Sequence, residues 1–152
     1  SIANFATLRC LEQIRNDASY HELNVNVVSV GGGFSYGPLG MSHHATEDLA
    51  IMRSLPNVTV ISPGTLVEAK CATREILKNP GVGYLRIDKS CFSGLVEQTD
   101  IDNFKIGKAI RIREGDDISL FATIIISLNL DLILSIVCSS KVFSPNLTSF
   151  LS

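Results

Sequence analysis

Two adjacent histidines, His43 and His44, stand near the centre of GGGFSYGPLGMSHHATED, residues 31–48, behind a run of glycines and ahead of the acidic pair Glu47 and Asp48. Imidazole suits the exchange of protons and hydrogen bonds with substrate oxygens near neutrality, because its ordinary pKa is about 6.5. Glycines let backbone approach a ligand closely, and an acidic pair fits the first turn of a helix, where the dipole favours anions. A helix start beside the histidines offers backbone N–H groups to an anion such as phosphate and disfavours the imidazolium form. Two readings stay open at this point. Either the rings work on a substrate, or one packs structurally while the other faces water. Adjacent side chains point in different directions, so one working histidine is expected rather than two.

Other chemistries lack their residues. The glycine run is neither GxGxxG nor followed by GK[ST]. Cys10, Cys71, Cys91 and Cys138 lie far apart with no CxxC, and His21 is remote from the histidine pair, so no zinc set is expected. The cysteines read as reduced thiols of a cytoplasmic protein. A net charge of −2 without any Lys/Arg cluster argues against a nucleic-acid surface. Arg86 and Lys89 can be read as a phosphate grip at the same sheet edge or as a solvated strand end. EGDDIS, residues 114–119, is similar to the GDG signature of thiamine enzymes, but Asp117 takes the third place and the stretch reads as a turn.

The elements that must position the histidines follow from periodicity. Phe5, Leu8, Leu11 and Ile14, three apart, predict one helical stripe. The β-branched run NVNVVSV, residues 24–30, predicts a strand that empties into the glycine loop. ATEDLAIMRSL predicts a helix capped by Thr46 or Ser42 and stopped at Pro56-Asn57. VTVIS (58–62) and VGYLRI (82–87) predict strands, with a helix between them over GTLVEAKCATREILKN, ended by Asn79-Pro80-Gly81. Strand and helix alternate without hairpin turns, which predicts an α/β three-layer domain with a mostly parallel sheet. Ligand loops in such sheets gather at the carboxyl ends of strands, and the glycine loop leaves one of these ends.

Character changes near Ser90. CFSGLVEQTDIDNF reads as a linker over 91–104, and KIGKAIRIREGDDISLFAT as two strands opening a new unit over 105–123. Residues 124–152 lack caps and sustained periodicity and read as an aberrant or poorly ordered tail. SLFATIIISLNLDLILSIVC, residues 119–138, has roughly the length of a membrane span, but Asn129 and Asp131 fall near its middle, so no membrane partner is expected.

The run from Ser1 to about Ser90 resembles the pyrimidine-binding domain of the transketolase family, which includes deoxyxylulose-phosphate synthase and the beta subunits of 2-oxo acid dehydrogenases. SIANFATLRCLEQIR is similar to the helix after the segment lining the aminopyrimidine pocket, with EQI matching a family DQ[IV]. GPLGMSHHATEDLAIMRSLPNVTVISP is similar to the pattern GxxGPxH…E(D)xAxxRxxPNxxVxxP, and GTLVEA and VGYLRIDKS fit the helix and strand that follow. IGKAIRIREGDDISLFAT is similar to the first strands of the family's C-terminal domain.

The resemblance implies an incomplete thiamine-diphosphate pyrimidine-binding fold. It implies an enzyme part that moves two-carbon or acyl units between sugar, sugar-phosphate or 2-oxo acid substrates. It also implies thiamine diphosphate bound between subunits, with magnesium held by another domain or chain of a homo- or hetero-oligomer. Phe5 and Ile2 would line the cofactor ring, His43 would be catalytic and contact substrate, and His44 and Lys89 would bind substrate. Ile2 stands where the family has its first pocket aromatic, and Leu39 where the loop has an acidic residue. The family's activating glutamate lies in a GIxExN-like segment expected upstream of position 1, and the diphosphate-binding domain is expected on other sequence, so the chain reads as truncated at both ends. The competing expectation is a catalytically inactive remnant that serves only as a subunit-interaction module. A flavodoxin-like small-ligand binder would need a phosphate-cradling loop that the sequence does not display.

Overall fold

The computed structural model describes residues 1–89 and 104–108. Three strands, β1 (Val25–Val30), β2 (Val58–Ile61) and β3 (Val82–Ile87), form an all-parallel sheet in the order β1-β3-β2. β3 is central, with Val25 paired to Val82 and Val30 to Ile87 on one side, and Val58 paired to Val82 and Ile61 to Leu85 on the other. Helices cover both faces of this sheet, which is the three-layer α/β arrangement that the alternation of strands and helices predicts.

The two faces of β3 are built from alternate residues. Val82 and Tyr84 join Ile14, Ala18, Met52 and Leu55 in one core cluster, under the N-terminal helical segment and helix α2 (Asp48–Ser54). On the reverse face, Leu85 packs with Ala72 and Ile76 of helix α3 (Leu66–Ile76). The ring of Phe104 closes over that second cluster. Gly83 lets α3 come close, since a Cβ there would overlap the Ile76 side chain. α3 begins with a capping box: Thr65 Oγ1 accepts from the Glu68 N–H at 3.1 Å, and the Glu68 carboxylate accepts from the Thr65 N–H. Two orphan N–H groups are satisfied in this way.

Two expectations are corrected. The N-terminal segment is not one α-helical stripe. The short helix α1 (Leu11–Gln13) is flanked by wide i→i+5 turns over Phe5–Arg9 and Ile14–Ser19. Wide turns of this kind are rare, and they rotate the phase of the side chains. Leu8, expected on the buried stripe, is 50% exposed, while Ala3, Ala6 and Thr7 are buried. Secondly, neither Thr46 nor Ser42 caps α2. The cap position is Glu47 without a side-chain cap bond, because the Thr46 hydroxyl donates to the Glu47 carboxylate at 2.6 Å.

The linker, C-terminal-strand and tail assignments fall largely on residues 90–103 and 109–152, outside the described residues, as does the apolar stretch 119–138. Among the described residues, no helix is long and apolar enough to cross a membrane.

Candidate functional site

The chain leaves β1 at Val30 and returns to the fold at Asp48, the first residue of α2. Gly31 N–H bonds to the Ile87 carbonyl at 2.8 Å, so sheet pairing runs one residue past the strand. Gly33 and Ala45 then pair antiparallel, with N···O distances of 2.6 and 3.0 Å, and pinch residues 33–45 into a closed loop. Both histidines lie just inside this neck. The loop is fastened from outside by the buried Asn4, whose amide donates to the Met41 and Ser42 carbonyls at 3.0 and 2.8 Å.

His43 is half-buried between two aromatic rings, with centroids 5.1 Å from Phe5 and 5.7 Å from Tyr36. Its Nδ1 lies 2.9 Å from the Ser42 hydroxyl. His44 turns the other way: Nε2 is 3.0 Å from the Gly37 carbonyl, and its ring meets Phe34 edge-on at 5.0 Å. Two cations flank the aromatic row, Arg9 over Phe5 and Lys89 over Tyr36, each 4.2 Å from the ring centroid. Ile2 pairs with Val30 at the end of β1, and the Phe5 N–H bonds back to the Ile2 carbonyl at 3.1 Å. Ile2, Phe5, His43, His44 and Lys89, distant in sequence, therefore meet at the carboxyl edge of the sheet.

Beneath the neck lies a buried polar cluster whose position the sequence does not disclose. Asp48 reads there as a helix-starting charge, yet it is 2% exposed and accepts the Tyr84 hydroxyl at 2.9 Å. Arg86 is 5% exposed, with Nε 3.7 Å from the same carboxylate oxygen. This corrects the reading of Arg86 as a solvated strand end, whereas Lys89 is exposed. Burial first of all, with Asp48's charge adding to it, pushes the Tyr84 phenol up to about 12. The Arg86 guanidinium reaches under Gly32, where any Cβ would overlap it, so a side chain at position 32 would displace the floor of the loop. The one sequence signal for this cluster is a charge at the last inward-facing position of a central strand.

Glu47 is exposed, and the Thr46 hydroxyl holds its carboxyl below the usual range. At the opposite, amino edge of the sheet lies a shallow open depression lined by Glu22, Asn57, Val58, Thr59, Pro80 and Gly81. It contains none of the candidate residues. Among the described residues no group of three or more metal-ligating side chains comes together.

Ile2 and Phe5, one helical turn apart, are both half-buried, and the Phe5 ring lies against the His43 imidazole.

Comparison with known proteins agrees with this geometry. Residues 2–93 match the family model for the transketolase pyrimidine-binding domain. A putative transketolase C-terminal section from Methanocaldococcus jannaschii is 36% identical over 123 residues, covering 81% of this chain and 39% of that protein. An apulose-4-phosphate transketolase subunit from Phocaeicola vulgatus is 30% identical over 120 residues, covering 79% of this chain and 38% of that protein. Among solved structures, a split-gene transketolase described as an inactive beta4 tetramer superposes with a TM-score of 0.65 at 32% identity, covering 76% of this chain and 36% of that one. The chain thus spans less than two fifths of the length of these relatives. A parallel α/β sheet with a pinched glycine loop at its carboxyl edge, together with a family match over most of the described residues, leads to one assignment: this chain belongs to the transketolase family through its pyrimidine-binding domain.

Proposed function

We propose that this chain supplies the pyrimidine-side wall of a split active site in a thiamine-diphosphate-dependent transketolase-like enzyme. The observation that carries the reading is the meeting of Ile2, Phe5, His43 and Lys89 at one sheet edge, on a surface that a second surface could close. The names of the relatives, one a transketolase section and one a transketolase subunit, support a partner chain or domain that brings the diphosphate-binding half and its magnesium. Ile2 and Phe5 would hold the cofactor's six-membered ring. The chemistry that thiamine diphosphate supplies when bound is a stabilised carbanion for making and breaking bonds beside a carbonyl.

The work of this chain is positioning. His43 holds a substrate oxygen by hydrogen bonding, oriented by the rings of Phe5 and Tyr36. Lys89, exposed beside Tyr36, draws an anionic substrate group such as a phosphate to the rim. Asn4 keeps the loop from swinging away from the Phe5 ledge. His44, turned toward Phe34 and the Gly37 carbonyl, has the lesser part.

Calorimetry tests the reading directly. Thiamine diphosphate and magnesium are titrated into this chain alone, into a diphosphate-domain partner alone, and into the mixture. Binding heat that appears only in the mixture supports the split site, and a mixture as silent as its parts overturns it. In the active mixture, His43→Ala should lower kcat at least tenfold and His44→Ala by much less; equal losses reject the assignment of His43. A mixture that assembles and binds cofactor without turnover would indicate the alternative, an interaction module that is catalytically inactive.

A further inference from the structure

The two imidazoles bond through different nitrogens, and the neighbours of each bond fix its direction. His44 Nε2 is 3.0 Å from the Gly37 carbonyl. A carbonyl oxygen has no proton to give, so Nε2 must carry one, and in the neutral ring Nδ1 is left as the acceptor. His43 makes its bond through the other nitrogen, with Nδ1 2.9 Å from Ser42 Oγ. The Ser42 hydroxyl has a single proton and a second neighbour, the Leu39 carbonyl at 3.3 Å. Were that proton given to His43 Nδ1, the hydroxyl and carbonyl oxygens would face each other lone pair to lone pair. Both bonds form together in only one arrangement: His43 Nδ1–H donates to Ser42 Oγ, and Ser42 O–H donates to the Leu39 carbonyl.

We infer that the adjacent histidines are locked in opposite tautomers, and that Ser42 is the positioning residue that turns His43 Nε2 into a hydrogen-bond acceptor. The inference rests on the proposed site and refines it by naming the group His43 takes. A neutral ring with a free Nε2 lone pair accepts from a substrate hydroxyl, and can receive its proton; it does not donate to a carbonyl. The preferred ligand at this position is a polyol or hydroxyketone that presents O–H, rather than an oxo group. The arrangement is mechanically backed. The Asn4 amide fixes the carbonyls of Met41 and Ser42, and the His43 and His44 N–H groups both bond to the Gly40 carbonyl at 2.9 and 3.1 Å. These bonds hold the backbone on both sides of Ser42.

Long-range proton–nitrogen NMR on the full chain with nitrogen-15 histidine tests this, at a pH high enough for both rings to be neutral. The expected spectrum assigns a protonated Nδ1 to His43 and a protonated Nε2 to His44. Ser42→Ala should release His43 into a mixture rich in the Nε2–H form while leaving His44 unchanged, and Ser42→Thr should restore the original pattern. A wild-type His43 protonated at Nε2 overturns the inference, even if the alanine variant fails to fold. So does a Ser42→Ala spectrum identical to wild type. These readings need neither cofactor nor partner, so their failure is separable from failure of the transketolase reading. In an active mixture, Ser42→Ala should lower kcat about tenfold with KM for the cofactor unchanged, and Ser42→Thr should recover most of it.

Discussion

The two faces of β3 are made from the same six residues, VGYLRI, yet they serve different ends. The face toward α3, with Gly83 and Leu85, is apolar, and its partners Ala72 and Ile76 are ordinary core residues. The face toward α2 begins apolar at Val82, becomes half polar at Tyr84, and ends in the charge of Arg86 over Asp48. Polarity rises toward the carboxyl end, where the pinched loop sits. The comparison separates a surface that only holds the sheet to a helix from one that also supports the loop from below, through Arg86 under Gly32.

Breaking the polar face should have the largest effect. Asp48→Ala strands the buried Arg86 cation and frees the Tyr84 hydroxyl, and should cost about 3–5 kcal/mol in urea unfolding at neutral pH. Its sharper form is the pair Asp48→Leu with Arg86→Met. Replacing both charges by apolar groups should recover much of that stability, yet the His43 ring signals should stay displaced, because the floor under Gly32 has changed shape. Recovery of both would mean that the cluster is packing and nothing more.

The apolar face should answer differently. Leu85→Ala, at a site 1% exposed, should cost about 2–5 kcal/mol by lost burial and a residual cavity. In the folded fraction, the His43 and His44 signals should keep their wild-type positions. If they move as far as in the Asp48 variants, the contrast between the faces fails.

A smaller effect isolates the phenol. Tyr84→Phe removes one donor from a buried carboxylate and should cost about 1–3 kcal/mol. The fold favours the neutral phenol, whose value rises from 10.0 in the unfolded chain to about 12 in the fold. Its contribution is complete below the lower value and is lost as pH climbs through the upper one. Wild-type stability, followed by unfolding at stepped pH, should therefore fall across that alkaline window, and the fall should be shallower in Tyr84→Phe. An equally steep fall in the variant would assign the alkaline loss to other groups.

The smallest change lies furthest from the site. Thr65→Ala removes half of the capping box of α3 and should cost about 1 kcal/mol with no change at either histidine. It serves as the control for the apolar side, since it weakens α3 without touching β3.

Much of the architecture is legible in the amino-acid order. Residues 82–87 and the alternation of strands with helices give the parallel sheet, because a central strand covered on both faces needs a nearly continuous apolar run. The loop GGGFSYGPLGMSHH is also legible as the segment that leaves a strand's carboxyl end, since its glycines follow the β-branched run directly. The N-terminal stripe is not. Spacing of three between apolar residues predicts an α-helix, but the i→i+5 turns put Leu8 outside and Thr7 inside. Periodicity assumes one number of residues per turn, and this segment does not keep to one.

By itself, then, the sequence determined the strands of the sheet and the course of the loop, because these depend on local propensity and on residues near one another along the chain. Tertiary structure decided which charge went inside and which backbone the buried Asn4 holds. Arg86 and Asp48 are 38 positions apart, and Asn4 is a similar distance from the loop it fastens. No periodicity links such pairs. They are joined because β3 is central and a buried charge settles only where a partner is already within reach.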